Sequence, residues 1–186
     1  MVPILALWLP IVVAAVLVFV VSSFVHMALR YHASDYRPLP KEDETLAALG
    51  SAGVTPGFYT FPYCKTPKEM GSPEMVEKYK RGPVGHLTVF PNGAPVMVKF
   101  LGLWFGYCLL VGVFIAYLAG RTLTAGTDYL HVFRVTGAVA FMAYGVGQLV
   151  NSIWRGQPWS VTVKDVFDGL VYSLVTAGAF GWLWPR

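Results

Sequence analysis

The residues with chemical potential lie where apolar runs begin and end. Ser22, Ser23, His26 and Arg30 close a first run, Lys99 precedes a second, Gln148, Asn151 and Arg155 close a third, and Asp165, Asp168 and Tyr172 open a fourth. If consecutive runs cross a membrane in alternating directions, all four ends meet one face. His26, Arg30, Gln148, Asn151, Arg155, Asp168 and Tyr172 then form one polar cluster. Polar groups at that depth are costly unless paired. Asp168 lies about one turn inside its helix, where the N-terminal dipole favours a carboxylate, and Arg155 or Asn151 is expected to reach it from the antiparallel neighbour. Two readings follow: a hydrogen-bond network tying a loop to the bundle, or a site for a ligand, a proton or a lipid headgroup. An enzyme built there would use His26 as base, Tyr172 as hydrogen-bond donor and Asp168 to orient them. The sequence contains no GxSxG, HExxH or Walker A motif.

The remaining histidines do not complete a metal centre by spacing. His26 and His131 fall at opposite membrane faces, roughly 30 Å apart, so one ion cannot join them. His32 and His86 lie in a connecting segment with no CxxC or second-helix partner. No metal or cofactor is therefore expected. The minor alternative is a tetrapyrrole whose magnesium sits on His26 or His131, and bound lipid is expected. Cys64 and Cys108 read as free thiols. Asp128, His131 and Arg134 form a charged patch at the other end of the third run.

The elements that position these groups follow from apolarity. Of 186 residues 55% are hydrophobic and only 13% are charged, with a mean hydropathy of +0.55, which is membrane-protein composition. A net charge of +4, from 14 basic and 10 acidic residues, argues against nucleic-acid binding. Residues 1–29 predict transmembrane helix 1, which reads as retained rather than cleaved. Residues 30–98 predict a small extramembrane subdomain, and residues 99–186 predict helices 2 to 4, over residues 100–119, 130–154 and 166–184. The expected fold is an all-α membrane protein, a four-transmembrane-helix bundle.

Small residues at four-residue spacing mark helix faces that let backbones approach closely. Gly169, Ser173, Ala177 and Gly181 line helix 4. Cys108, Gly112, Ala116 and Gly120 line helix 2, and Gly102 with Gly106 adds a GxxxG; Ala143 and Gly147 form a shorter pair in helix 3. Such faces serve packing within the bundle or against another chain.

Within residues 30–98, KEDETLAAL predicts a short helix. Ser72-Pro73-Glu74 predicts a capped start to a second, EMVEKYKR. HLTVFPNGAPVMV predicts a hairpin around Asn92-Gly93, and PGFYTFPYCKTP shows no regular period and suits a membrane surface or a partner. Basic residues favour the side of this loop (Arg30, Arg37, Lys41, Lys80, Arg81, Lys99, Arg155, Lys164) over the other (Arg121, Arg134, Arg186). The positive-inside rule thus puts the loop in the cytoplasm and both termini outside.

The strings VHMALRYHASDYRPLPKEDE, RGPVGHLTVFPNG and GLVYSLVTAGAFGWLWP resemble those of a group of uncharacterised bacterial four-span integral membrane proteins, over most of the chain. The resemblance implies the four-span topology and a bacterial inner membrane, and no activity. The function expected from the sequence is that of a non-catalytic integral subunit or assembly factor, packed through its small-residue faces into an oligomer or a larger, energy-transducing membrane complex. The alternatives are a small-molecule transporter, a lipid-handling protein or a membrane enzyme using the polar cluster. Expected partners are membrane lipids and either copies of itself or other integral subunits.

Overall fold

The computed structural model describes residues 1–186, which divide into two compact units, Met1–Tyr36 with Val96–Arg186, and Arg37–Pro95. The chain starts with a 3-10 turn, Ile4–Leu7, that runs into α1, Trp8–Ala28. Pro10 falls in the first turn of α1, where a missing N–H costs least.

The Arg37–Pro95 unit is small and mixed. In α2, Glu42–Ser51, three acidic residues of the first turn (Glu42, Asp43, Glu44) meet the positive helix end. Strand β1, Gly57–Phe61, precedes α3, Pro67–Met70, and α4, Pro73–Arg81. Ser72 caps α4 by accepting from the Met75 N–H at 3.3 Å, and Pro73 follows at the first helical position. Strand β2, Gly85–Val89, pairs antiparallel with β1, Tyr59 facing Leu87. The hairpin expected at Asn92-Gly93 is therefore not formed. Pro91 and Pro95 deprive a returning strand of donors, and β2 takes its partner from the aromatic segment in which no periodicity was expected.

The first unit resumes with α5, Met97–Thr122, and α6, Tyr129–Tyr144, whose first turn is capped by Asp128 accepting from the His131 N–H at 3.0 Å. Helix 3 is not continuous as expected. After Gly145 a 3-10 turn, Val146–Gln148, leads into α7, Leu149–Arg155. Gly145 and Gly147 supply weak helix propensity at the break. The last helix, α8, Trp159–Trp182, begins a turn or more earlier than expected. Its charged first half is helical because its ions are partnered: Lys164 by the segment after α1, and Asp165 by Gln157.

Helix α1 packs against α5 and α8, and α6 packs against the same two, which closes a ring of four. Leu7, Val18, Ile115, Val132 and Phe180 are fully buried within it. The closest approaches use glycine. A Cβ on Gly112 of α5 would lie 3.1 Å from Ile11 Cγ2 of α1, and one on Gly169 of α8 would lie 2.5 Å from the Gly145 nitrogen.

The chain is thus predominantly helical, with three helical stretches long and apolar enough to cross a membrane: Ile4–Ala28, Met97–Thr122 and Tyr129–Arg155. Helix α8 has the length, 24 residues, but Lys164, Asp165 and Asp168 keep it from being apolar enough to stand with them.

Candidate functional site

The site is organised by the way α1 ends. Arg30 adopts a left-handed conformation, φ 48°, which reverses the chain into a 3-10 turn, Tyr31–Ser34, laid along the first half of α8. On α8, Lys164 and Asp168 are four residues apart and share one face. The turn and this face interlock. The Tyr31 hydroxyl donates to Asp168 Oδ1, and His32 Nε2 meets Asp168 Oδ2 at 2.9 Å. On its other side His32 Nδ1 meets Asp35 Oδ2 at 2.6 Å, so one imidazole bridges two carboxylates. Lys164 Nζ donates to Asp35 Oδ1 at 2.6 Å, to the Tyr31 carbonyl at 2.7 Å and to Ser34 Oγ at 2.9 Å. Both carboxylates are only 6% exposed and the imidazole 15%, so these bonds act in a medium less polar than water.

The electrostatics of Asp35 show which effect wins. Burial pushes its carboxyl up, but hydrogen bonds from Lys164 and His32, with their charges, hold it below the usual carboxylate value. His26, on the last turn of α1, stacks on His32 with ring centres 4.7 Å apart and planes within 8°. Its Nδ1 is held by the Ser22 carbonyl at 3.1 Å.

Behind this cluster opens a cavity of about 870 Å³. His26, Gln148, Asn151, Asp165, Asp168 and Tyr172 form its polar wall, and Trp104, Tyr107 and Tyr144 an aromatic one. The aromatic wall is fixed by hydrogen bonds: Trp104 Nε1 donates to Ser22 Oγ at 2.8 Å, and the Tyr107 hydroxyl to the Ala143 carbonyl at 3.0 Å. The Tyr172 ring packs edge-on to Trp104 and Tyr144. Its hydroxyl is buried beside the Asp168 carboxylate.

The structure brings five of the seven expected residues to one cavity: His26, Gln148, Asn151, Asp168 and Tyr172. Arg30 and Arg155 are not in its wall. Arg30 serves through its backbone, and Arg155 Nη1 donates to Asn151 Oδ1 at 3.4 Å instead of reaching Asp168. Asn151 also leaves Asp168 alone and donates to Gln148 Oε1 at 3.1 Å. The partners of Asp168 are Tyr31 and His32, which the sequence reading had placed in a loop without a counterpart. The readable signal was local: His32 and Asp35 stand three apart, and Lys164 and Asp168 four apart.

The small-residue faces divide. Gly112, Ala116, Ser173 and Ala177 are buried within the chain, Gly169 abuts the α6 backbone, and Gly181 abuts the Tyr129 ring. Gly102 and Gly106 have nothing within 4 Å of where a Cβ would stand. Both thiols are free: Cys108 is buried in α5, and Cys64 bonds the Tyr79 hydroxyl at 3.1 Å.

Comparison with protein-family models, with curated proteins and with solved structures finds no match.

Proposed function

We propose that this chain is a lipid-handling or small-molecule-binding protein of the bacterial inner membrane that receives an amphiphile in the cavity between α1, α5, α7 and α8. In this reading all four long helices cross the bilayer, the Arg37–Pro95 unit is cytoplasmic, and the cavity opens at the cytoplasmic leaflet. The observation that carries it is the cavity itself. At about 870 Å³ it lies within the roughly 300–1,000 Å³ of small-molecule sites, and it joins an aromatic wall to a few convergent polar groups as such sites do. The polar wall suits a headgroup, and Trp104, Tyr107 and Leu101 suit the chain behind it.

The reading as an accessory subunit takes second place, because most small-residue faces that motivated it are consumed inside the bundle. The uncovered Gly102 and Gly106 face supports it.

Filling the cavity tests the first reading. Leu101 lines it and is 41% exposed, so Leu101→Trp is expected to fold normally. A photoreactive phospholipid in vesicles is expected to label the wild type within the cavity and the variant at least tenfold less. Equal labelling of both refutes the proposal, and a fixed set of other subunits after mild solubilisation favours the accessory reading.

A further inference from the structure

We infer that His26, His32 and Asp168 form a binding site for a late first-row divalent metal ion, of the kind Zn²⁺ exemplifies. This inference builds on the reading of the cavity as a site, and it adds the ion that would face the ligand. One donor atom from each residue lies within 4.8 Å of the other two. Around a tetrahedral ion with bonds of about 2.0–2.1 Å, donors stand about 3.4 Å apart. His32 Nε2 and Asp168 Oδ2 are already closer than that, at 2.9 Å. The remaining closure falls to His26, whose exposed ring must turn out of its parallel stack on His32, because two parallel rings cannot both aim a nitrogen at one ion.

What separates this cluster from an ordinary ion pair is how the imidazoles are held. Ligating histidines almost always donate their other ring N–H to a carboxylate or a carbonyl, which fixes the tautomer and aims the free nitrogen at the ion. Both do so here. His32 Nδ1 is on the Asp35 carboxylate at 2.6 Å, and His26 Nδ1 is on the Ser22 carbonyl at 3.1 Å. Each therefore presents Nε2. Asp35 is in turn held by Lys164, and Asp168 by the Tyr31 hydroxyl, so the oxygen donor is oriented as well. Two imidazoles and one carboxylate leave positions open, the pattern of sites where a metal binds water or a substrate rather than only bracing a fold. The Tyr172 hydroxyl, on a side chain about 95% buried in the cavity wall, stands beside the Asp168 carboxylate and adds a polar group to that side of the cluster.

In the absence of an ion, the contact between His32 Nε2 and Asp168 Oδ2 requires a proton between them, since both neighbours of that ring are carboxylates. The ion takes the place of that proton, which leaves to solvent, and no electron changes hands.

The test uses the full chain in detergent, stripped with a chelator and titrated with Zn²⁺ by calorimetry and with Co²⁺ by its visible spectrum. One ion per chain is expected, with Co²⁺ bands showing nitrogen ligation. His26→Ala, a change at an exposed side chain, is expected to abolish one-to-one binding, as are His32→Ala and Asp168→Asn. Asp35→Asn is expected to weaken it about 10- to 100-fold. His131→Ala and His86→Ala are expected to leave it unchanged. Absence of stoichiometric binding in the wild type, or binding that survives His26→Ala, overturns the inference. Phospholipid labelling is read without metal, so the cavity proposal and the metal site fail independently.

Discussion

Alanine at two glycines of similar sequence context is expected to act in opposite directions. A methyl group on Gly169 would stand 2.5 Å from the Gly145 nitrogen and 2.6 Å from the Tyr144 carbonyl carbon, against ordinary contacts of about 3.5–4.0 Å. Helices α6 and α8 would have to separate by about 1 Å at their tightest crossing. Overpacking costs about 1–3 kcal/mol. Gly169→Ala belongs at the upper end, because the obstacles are backbone atoms that no rotamer change can move. At roughly 2–4 °C per kcal/mol for a chain of this length, the midpoint of thermal unfolding should fall by about 5–10 °C. Gly106 has nothing within 4 Å, so Gly106→Ala removes only the helix penalty of glycine, about 0.5–1 kcal/mol, and should leave the midpoint unchanged or slightly raised. The assay is the temperature at which each variant loses its monodisperse elution in one detergent. Equal midpoints for Gly169→Ala and wild type, or an equal loss for Gly106→Ala, would show that the crossing does not depend on the missing side chain.

Two further substitutions probe the site. Lys164→Met removes three donor contacts to the Tyr31–Asp35 segment and is expected to cost about 1.5–3 kcal/mol locally, read as amide exchange in residues 31–36 roughly 10- to 100-fold faster; unchanged exchange would mean that the turn is held by other contacts. Ser22→Ala deprives Trp104 Nε1 of its acceptor at 2.8 Å and should destabilise the chain by about 1–3 kcal/mol, with Trp104→Phe in the same background restoring much of the loss. If that double variant is no more stable than Ser22→Ala, the hydrogen bond is not what Ser22 contributes.

How much was legible depended on whether the information was local. The three apolar spans are visible in composition alone, since nothing but length and the absence of charge is needed to see them. The antiparallel alternation of these with the last long helix was enough to bring His26, Gln148, Asn151, Asp168 and Tyr172 to one cavity. The partners of Asp168 were hidden because they depend on a single backbone reversal at Arg30. A positive φ is uncommon outside glycine, and no glycine stands there to announce it. Arg30 itself was read as a charge, whereas its contribution is a change of chain direction. The β1–β2 pairing was hidden for a different reason: it joins strands more than twenty residues apart, while the asparagine-glycine turn beside β2 offered a local pairing that its flanking prolines do not permit. The break after Gly145 was written in two glycines, but the apolar run continued through it and masked it.

The uneven charge along α8 has a consequence for the surrounding lipid. If α8 is the fourth crossing, its uncharged portion is only residues 169–182, about 21 Å at 1.5 Å per residue, whereas α1 and α5 offer enough apolar length for a hydrocarbon layer of about 30 Å. A bilayer cannot match both sides of the bundle at once. It would meet the α8 side by thinning there, at a modest cost for each ångström of mismatch. The dimple would form beside Asp168 and draw headgroups down toward the cavity mouth. Membrane thickness would then govern how readily an amphiphile leaves the leaflet for the protein, with thin bilayers lowering the step and thick ones raising it.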